Sequence, residues 1–468
     1  MLILALSAFV SPVFAAPATK LPAPVRAALE KARIPASAVS AWTQPLDARQ
    51  PTLAVNAARA MNPASVMKVV TTFAALEQFG PERTWTTRYA VSAPIEDGTL
   101  VGNLYLIGDG DPVLTYERLW RVLRRLRGLG LKMIDGDIVL DDSALAFPPL
   151  DPYAFDGKGL RPYNSNGNGL LMHFNAQELA LFPGAKAGDP VRAVIEPPLA
   201  GIAVENRIVT SAKVCDSWWR DLDATLDGVH LTLTGSLPAS CGPRLWATAP
   251  LTPPAFAEAL VKSLWLELGG KLRGKVTHGV APKEAVILIA DESPPLGEIV
   301  RTMNKWSNNV IARELIAQLG RADPPPPDTM AAGVAAAKQR LKAANIDTTG
   351  LVLVNGAGLS REGRVRADTL GAILVRAWQR PWMPEFVASL PILGRDGTTR
   401  RRLADSPAAG HAHLKTGTIN DVKAIAGYVL DKHGRRHAIV MMVNHPDAGK
   451  SGKAQDALIE WVWQGGKR

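Results

Sequence analysis

Apolar residues recur at helical spacing in several stretches of the chain, and the clearest stretch begins just after Asn62. Asn62 is a suitable N-cap, Pro63 suits the first helical position, and apolar residues continue through Leu76 until Gly80 ends the pattern. The same criterion predicts further helices over residues 24–31, 115–127, 254–268, 297–303, 308–319 and 331–343.

Other stretches alternate apolar and polar residues or are rich in β-branched residues, which indicates strands. Such strands are predicted over 36–42, 52–55, 84–91, 104–107 and 132–140, at several places between 179 and 234, and over 413–419, 424–430 and 436–443. Residues 153–169 are dominated by glycine, asparagine and proline, so we expect a loop there. A last helix is expected to end near Trp463.

Helices and strands mix at both ends of the chain, whereas short strands dominate its middle. We therefore expect residues 16–88 and 291–468 to form one discontinuous α/β domain, and residues 89–290 to be a β-rich insertion made of two subdomains. An insertion of this kind requires its two ends to lie close together in the host domain. The length of 468 residues agrees with two or three domains.

The amino terminus is apolar and reaches small residues at Val13-Phe14-Ala15, which resembles a secretory cleavage site. We expect residues 1–15 to be a signal peptide that exports the protein to the periplasm, the alternative being a buried amino-terminal helix. No later stretch is long and apolar enough to span a bilayer, so we expect no transmembrane anchor.

The chain has two cysteines, Cys215 and Cys241. In an exported protein an even pair is compatible with one disulfide, and two separate buried thiols are the alternative. Neither cysteine lies in a CxxC motif, and no HExxH motif is present, so we expect no metal site.

Positive charge is in excess, with a formal net charge of +10 and a pI near 9.6. Such an excess favours anionic surroundings, including cell-wall polymers, membrane surfaces and nucleic acid. Basic clusters occur at 121–127, on an amphipathic helical pattern, and at 400–402. No nucleic-acid-binding motif accompanies either cluster, so we do not expect nucleic acid as a partner.

The first motif with chemical potential is Ser65-Val66-Met67-Lys68, at the start of the predicted helix. A three-residue separation puts Ser65 and Lys68 on one helix face, and the helix amino end offers free N–H groups to a developing oxyanion. A serine hydroxyl needs a base to become a good nucleophile. A lysine titrates near ~10.4 in water, so Lys68 needs burial or a second cation, for which Lys415 is a candidate.

The second motif is Ser307-Asn308-Asn309, at the start of another predicted helix. The Ser307 hydroxyl is a candidate for relaying a proton to a leaving group, and the Asn309 amide for holding a substrate carbonyl or Lys68. By itself the motif is better explained as a helix cap at Ser307.

The third motif is Lys415-Thr416-Gly417-Thr418, inside a predicted strand. Gly417 removes a side chain where another backbone must approach closely, and an extended peptide can pair along such a strand edge. Lys415 would attract a terminal carboxylate, and Thr416 and Thr418 would donate hydroxyl groups to it. The N–H groups of Thr418 and Ser65 are candidates for an oxyanion hole.

The three motifs in this order are typical of penicillin-binding proteins and serine β-lactamases. The chain resembles the penicillin-binding D-alanyl-D-alanine carboxypeptidase/endopeptidases of the low-molecular-mass class C group. That resemblance extends over residues 61–68, 108–112, 355–361 and 396–398, and it departs from the family pattern at Asn355, where an aspartate is expected, and in the Asn- and Gly-rich stretch 163–169. It implies a serine β-lactamase/transpeptidase-like domain, with an antiparallel sheet flanked by helices and a helical subdomain.

The resemblance also implies a reaction and its site residues. Ser65 would form an acyl-enzyme with the penultimate D-Ala of peptidoglycan stem peptides, and β-lactams would acylate the same residue. Lys68 would be the base, Ser307 and Asn309 would relay and position, and the substrate carboxylate would be received by Lys415, Thr416 and Thr418. No metal or organic cofactor would be required.

Two other functions compete with this reading. A β-lactamase or esterase on the same fold would deacylate fast, although no residue that would activate water efficiently is evident. A catalytically silent cell-wall-binding scaffold would usually have lost the nucleophile or the base, and this chain keeps both. The sequence separates neither carboxypeptidase from endopeptidase activity nor one oligomeric state from another.

Overall fold

A computed structural model describes residues 17–466 of the chain. The segment expected to be a signal peptide, residues 1–15, lies outside these residues. The helices are α1 Ala23–Lys31, α2 Lys68–Phe79, α3 Tyr116–Gly128, α4 Pro253–Glu267, α5 Leu296–Trp306, α6 Asn309–Leu319, α7 Thr329–Ala343, α8 Ala367–Trp378, α9 Met383–Ser389 and α10 Gly452–Trp463.

The strands are distributed over the whole described chain. They are β1 Val39–Pro45, β2 Leu53–Val55, β3 Ala60–Met61, β4 Thr86–Val91, β5 Ile95–Glu96, β6 Thr99–Leu100, β7 Leu104–Ile107, β8 Met133–Ile134, β9 Ile138–Asp141, β10 Gln177–Phe182, β11 Arg192–Glu196, β12 Ala203–Asn206, β13 Val209–Ser211, β14 Leu222–Asp227, β15 His230–Pro238, β16 Arg244–Thr248, β17 Lys271–Leu272, β18 Val276–His278, β19 Val286–Glu292, β20 Val365–Arg366, β21 Ala412–Ile419, β22 Val422–Leu430 and β23 Arg436–Asn444.

The two ends of the chain meet in one antiparallel sheet with the strand order β2-β1-β23-β22-β21. Its central strands are apolar on both faces because each face is covered by helices. Tyr428 and Val440 pack towards α2 and α8, whereas Ile425 and Met441 pack towards α1 and α10. Strand β21 is left at the edge of the sheet, which is the position that an added peptide strand requires.

A helical subdomain stands beside this sheet and is built around α2. Residues 68–76 of α2 are buried throughout, and α5 to α9 pack around them. Phe73 and Trp382 pack edge to face, with their ring centroids 5.4 Å apart. The antiparallel sheet with flanking helices and a helical subdomain, as predicted from the sequence, is therefore present.

The middle of the chain forms separate layers. One sheet has the order β18-β9-β7-β4-β19 and packs on α3 and α4. A second apolar cluster joins β10, β14 and β15, and the disulfide Cys215–Cys241 borders it. The predicted strands are therefore accompanied by two long helices, so that the insertion is β-rich but not all β.

Strands β4 and β19 lie side by side at the two ends of the insertion, where Arg88 pairs with Ala290. We propose residues 16–88 and 291–468 as the catalytic domain and residues 89–290 as the insertion, with the two apolar clusters as its subdomains. The proposal is supported by this pairing, because both boundaries then fall at neighbouring positions of one sheet.

The sequence pattern differs from the structure in several places, which include residues 36–38, the strand over 132–140 and helices α8 and α9. Residues 36–38 form a 3-10 turn after Pro35 and not the start of a strand, which begins at Val39. The predicted strand over 132–140 is interrupted at residues 135–137, between β8 and β9. Helices α8 and α9 were not predicted, although Leu370, Ile373 and Leu374 have the spacing of a buried helical face.

The disulfide closes a loop with a sequence separation of 26 residues. Replacing Cys215 and Cys241 together by serine is expected to lower the free energy of unfolding of the insertion by about 3–4 kcal/mol, because the unfolded chain regains loop entropy. Urea denaturation followed by tryptophan fluorescence measures this loss, and reduced wild-type protein is the matched control. Equal midpoints for the oxidised wild type and the double variant would contradict a stabilising disulfide.

Candidate active site

Ser65 lies in a 3-10 turn, Ala64–Met67, that leads directly into α2. The Asn62 side chain accepts a hydrogen bond from the N–H of Ala64 at 2.9 Å and so fixes the start of this turn. The predicted helix therefore begins as a tighter helix, in which residues three apart lie above each other. As a result, the Oγ of Ser65 and the Nζ of Lys68 are 3.1 Å apart.

Lys68 is fully buried and its amine has three polar neighbours. Besides Ser65 these are the Oδ1 of Asn309 at 2.6 Å and the carbonyl oxygen of Ala357 at 2.7 Å. A neutral amine has two N–H groups and one lone pair. Donation to Asn309 and Ala357 uses both N–H groups, which leaves the lone pair to accept the hydroxyl proton of Ser65.

The surroundings of Lys68 favour this neutral form. Burial lowers the pKa of Lys68 well below its usual value, and the positive charges of Lys415 and Arg313 lower the pKa further. The cation suggested by the sequence is thus one of the two that act on Lys68. No carboxylate is in hydrogen-bond contact with this amine among residues 17–466.

Ser307 ends α5 in a left-handed backbone conformation with φ of 59°, and the next helix begins two residues later. The cap of α6 is Asn308, whose side chain accepts hydrogen bonds from the N–H groups of Val310 and Ile311. The alternative in which Ser307 is merely a helix cap is therefore wrong. Its hydroxyl instead accepts a hydrogen bond from the Nζ of Lys415 at 2.9 Å.

Lys415 extends from β21 and is fully buried, and burial lowers its pKa to about 7. Its Nζ also donates to the carbonyl oxygen of Thr416 at 2.8 Å. The hydroxyl of Thr416 is 2.8 Å from that of Thr398. Lys415 thus places its charge behind the Ser307 hydroxyl, while the threonine hydroxyls lie on the open side.

Gly417 brings β21 against the turn that carries Ser65. A Cβ atom at Gly417 would lie 2.4 Å from the carbonyl oxygen of Pro63 and 3.0 Å from the backbone nitrogen of Ser65. Any side chain here would therefore push the strand away from the turn. The close approach expected from the sequence exists, and it is made by the backbone next to the candidate nucleophile.

Two contributors to the site were not identified from the sequence. The loop 355–359 supplies the Ala357 carbonyl, and its Asn355 both accepts from the N–H of Ala357 and donates to the carbonyl oxygen of Leu359. An aspartate at 355 would lack that donor. The resemblance had marked this loop but gave it no role.

The second unidentified contributor is the insertion. The Nδ2 of Asn309 donates to the carbonyl oxygen of Tyr163 at 3.4 Å, and Arg313 donates to the same oxygen at 3.0 Å. This contact turns the Oδ1 of Asn309 towards Lys68. Residues 162–164, inside the predicted loop, form a short 3-10 turn that delivers the carbonyl.

Two grooves open on either side of Ser65. The insertion-side groove has a volume of about 600 Å³ and is lined by residues that include Asp156, Tyr163, Glu178 and Arg361. The helix-side groove has a volume of about 540 Å³ and is lined by residues that include Thr398, Arg402, Thr416, Lys423, Gln455 and Asp456. Ser307 and Thr418 border both grooves, so the candidate nucleophile lies where they meet.

Within residues 17–466, no group of three or more His, Cys, Asp or Glu side chains is arranged to hold a metal ion. Over the same part of the chain, every helix is too short or too polar to cross a membrane.

Comparison with known proteins gives a family match over most of the chain. The family model described as D-Ala-D-Ala carboxypeptidase 3 (S13) matches residues 21–464. A D-alanyl-D-alanine carboxypeptidase from Actinomadura sp. (strain R39) is 31% identical over 414 residues, which cover 85% of this chain and 76% of the relative.

Solved structures agree with this match. The crystal structure of penicillin binding protein 4 from Haemophilus influenzae has a TM-score of 0.77 at 25% identity, covering 94% of this chain and 99% of that one. A structure of the same protein complexed with a β-lactam has a TM-score of 0.73 at 24% identity, with the same coverage. The predicted fold class, with its large insertion, is confirmed.

The close backbone approach at Gly417 leaves no room for a side chain, and the loss of stability caused by adding one can be measured. Gly417→Ala is expected to lower the free energy of unfolding by about 1–3 kcal/mol, because the new methyl group overlaps backbone that cannot rotate away. Equilibrium urea unfolding checks this value. Gly449→Ala is the control, since a Cβ there would meet nothing within 4 Å; equal stability of the two variants would contradict the tight contact.

Proposed function

Because the chain belongs to the D-Ala-D-Ala carboxypeptidase 3 (S13) family, it is a serine-type D-Ala-D-Ala carboxypeptidase, and we propose that it acts through an acyl-enzyme on Ser65. The observation that carries this proposal is the buried amine of Lys68, which is 3.1 Å from the Ser65 hydroxyl and is held there by Asn309 and the Ala357 carbonyl. Such an amine is a base that is ready to accept the serine proton.

In the first step, the Ser65 oxygen attacks the carbonyl carbon of the penultimate D-Ala while its proton moves to Lys68. The oxyanion that forms accepts hydrogen bonds from the backbone N–H groups of Ser65 and Thr418. This assignment is supported by the contact of β21 with the Ser65 turn at Gly417. One such donor typically contributes ~10²–10³ in rate.

In the second step, the C–N bond breaks and the leaving amine takes a proton. We assign its delivery to Ser307, which passes on to the amine the proton that Lys68 took from Ser65 and whose hydroxyl is oriented by the hydrogen bond from Lys415. Lys68 is then neutral again. Asn309 holds Lys68 in place. The leaving carboxylate is received by Thr416 and Thr418, with Gly417 allowing the peptide to lie along the strand edge and Lys415 supplying positive charge from behind Ser307.

Water then attacks the ester carbonyl and gives a proton to neutral Lys68, which returns it to the Ser65 oxygen as the C–O bond breaks. β-Lactams acylate the same serine, because their strained amide presents a carbonyl in the position of the scissile bond. The relative solved with a β-lactam is consistent with this binding. We further propose that crosslinked peptides are cleaved by the same acyl-enzyme, since both reactions release an amine from a D-Ala carbonyl.

The proposed substrate places the protein outside the cytoplasm, and we assign it to the periplasm. Its partners are peptidoglycan stem peptides. Two competing functions can be tested with the same penicillin reaction. A β-lactamase or esterase would deacylate faster, and a catalytically silent scaffold would not be labelled covalently.

Ser65→Ala is expected to abolish release of D-alanine from a pentapeptide and covalent labelling by a fluorescent penicillin, because no other hydroxyl replaces the nucleophile. Mass spectrometry of the peptide products and of the intact protein measures both effects. Wild-type protein that stays unlabelled would favour the scaffold, and rapid release of the label would favour the β-lactamase. Residual cleavage by the variant would overturn the mechanism.

Asn309→Asp tests the protonation state of Lys68. A carboxylate at the position of Oδ1 would stabilise the ammonium form and raise the pKa of Lys68, so that the neutral fraction at pH 7 falls. We expect penicillin acylation at pH 7 to slow by about tenfold or more, and to recover as pH rises towards the new pKa. In the wild type, the fall in rate at low pH is instead expected at the lowered pKa of Lys68, and both proteins lose the charge of Lys415 as pH rises through about 7.

The control for this experiment is Asn308→Asp, since aspartate caps a helix as well as asparagine does. Acylation by this control should keep the wild-type pH profile. If Asn309→Asp lost the same fraction of activity at every pH, Asn309 would act only by position and not by keeping Lys68 neutral.

A further inference from the structure

The two grooves beside Ser65 differ in charge, and this difference indicates which part of a substrate each one receives. Asp156 and Glu178 contribute two carboxylates to the insertion-side groove, against the guanidinium of Arg361. The helix-side groove instead carries Arg402 and Lys423 against Asp456. A leaving group that bears a carboxylate therefore fits the helix-side groove, where the hydroxyls of Thr398 and Thr416 also lie.

The helix-side groove is larger than a single leaving D-alanine requires. Its volume of about 540 Å³ is in the range of pockets that hold ligands of several residues' size. The groove continues from Thr416 past Lys423 to the first turns of α10. A longer leaving group would fill this extension, whereas D-alanine would occupy only the end next to Ser65.

Gln455, on α10, is the unusual member of this groove. Its side chain is fully buried, and neither its Oε1 nor its Nε2 has a hydrogen-bond partner among residues 17–466. An unsatisfied buried carboxamide is costly, and few such groups are found in native proteins. A carboxamide offers one acceptor and two donors, which is the complement of a peptide group.

The neighbouring cations are held at the rim of the groove. Arg402 pairs with Asp456 through its Nε, and the Nζ of Lys423 donates to the carbonyl oxygen of Gly449 at 3.3 Å. The charge of Arg402 is thus balanced by Asp456, whereas the charge of Lys423 is left for a ligand. The positive charge of Lys423 and the carboxamide of Gln455 together match a peptide chain that carries a carboxylate.

We propose that the helix-side groove is the subsite for the leaving chain of a crosslinked peptide, and that Gln455 binds a peptide group of that chain. This inference rests on the proposed acyl transfer to Ser65. In cleavage of a crosslink, the amine that departs from the D-Ala carbonyl belongs to a second peptide, which extends into the groove. Gln455 is then a specificity-determining residue that favours crosslinked peptides over free pentapeptides.

The test compares two substrates on the full chain, a crosslinked muropeptide dimer and a monomeric pentapeptide. In Gln455→Leu, the ratio of kcat/KM for the dimer to kcat/KM for the pentapeptide is expected to fall about tenfold, because only the dimer loses hydrogen bonds to the carboxamide. The loss should appear mainly in KM for the dimer. Gln455→Glu keeps the size of the side chain but removes its donors, and it should lower the ratio as well.

Gln464→Leu is the matched control, since it makes the same change at an exposed position just after the same helix. Its ratio should equal that of the wild type. An equal fall on both substrates in the Gln455 variants would assign the residue a purely structural role and overturn the inference. An unchanged ratio, or a wild type that cleaves only the pentapeptide, would also overturn it.

These outcomes are separable from failure of the proposed function. If Ser65→Ala cleaved either substrate, the acyl-enzyme itself would be wrong. If wild type cleaved the pentapeptide through Ser65 but the Gln455 variants kept the wild-type ratio, only the subsite would be wrong. Labelling by fluorescent penicillin and the melting temperature show whether each Gln455 variant is folded, and the melting temperature shows it for Ser65→Ala.

Discussion

The site depends on a lysine that is buried without a carboxylate partner. Burial and two nearby cations favour the neutral form of Lys68, and in that form donation to Asn309 and Ala357 would leave the lone pair for Ser65. Each acceptor comes from a different part of the chain. The fold must therefore bring the Ser65 turn, α6 and the loop 355–359 together before any chemistry is possible.

The same requirement explains why β21 lies where it does. Lys415 reaches Ser307 from the strand, and Gly417 lets the strand touch the Ser65 turn. A few short contacts thus fix the relative positions of the β21 edge, the Ser65 turn and Ser307, which lies between α5 and α6. Groups that are far apart in sequence are brought into one polar cluster because α2 and β22 pack in the same apolar core.

Much of this arrangement could be predicted from the sequence, because local patterns specify local structure. The strands that became β21 to β23 and the helix that became α10 were predicted to within a few residues. Two of the three motifs lay at helix starts and the third inside a strand, and the three-residue spacing of Ser65 and Lys68 suggested that these two side chains lie close together. By contrast, the roles of the Ala357 and Tyr163 carbonyls could not be predicted, since a backbone acceptor has no side-chain signature. Gln455 was missed for a related reason, because a single glutamine in a helix is unremarkable until its surroundings are known.

The insertion is joined to the host by the pairing of its two end strands and by several polar contacts, one of which involves the carbonyl of Tyr163 beside the reaction centre. Its two ends pair as neighbouring strands, so its length could change during evolution without disturbing the host sheet. The carbonyl of Tyr163, however, orients the amide of Asn309 and so reaches the reaction centre. Trimming the outer layers of the insertion would leave the enzyme intact only where the turn at 162–164 is kept, and lineages that discard this turn would have to find another acceptor to hold that amide.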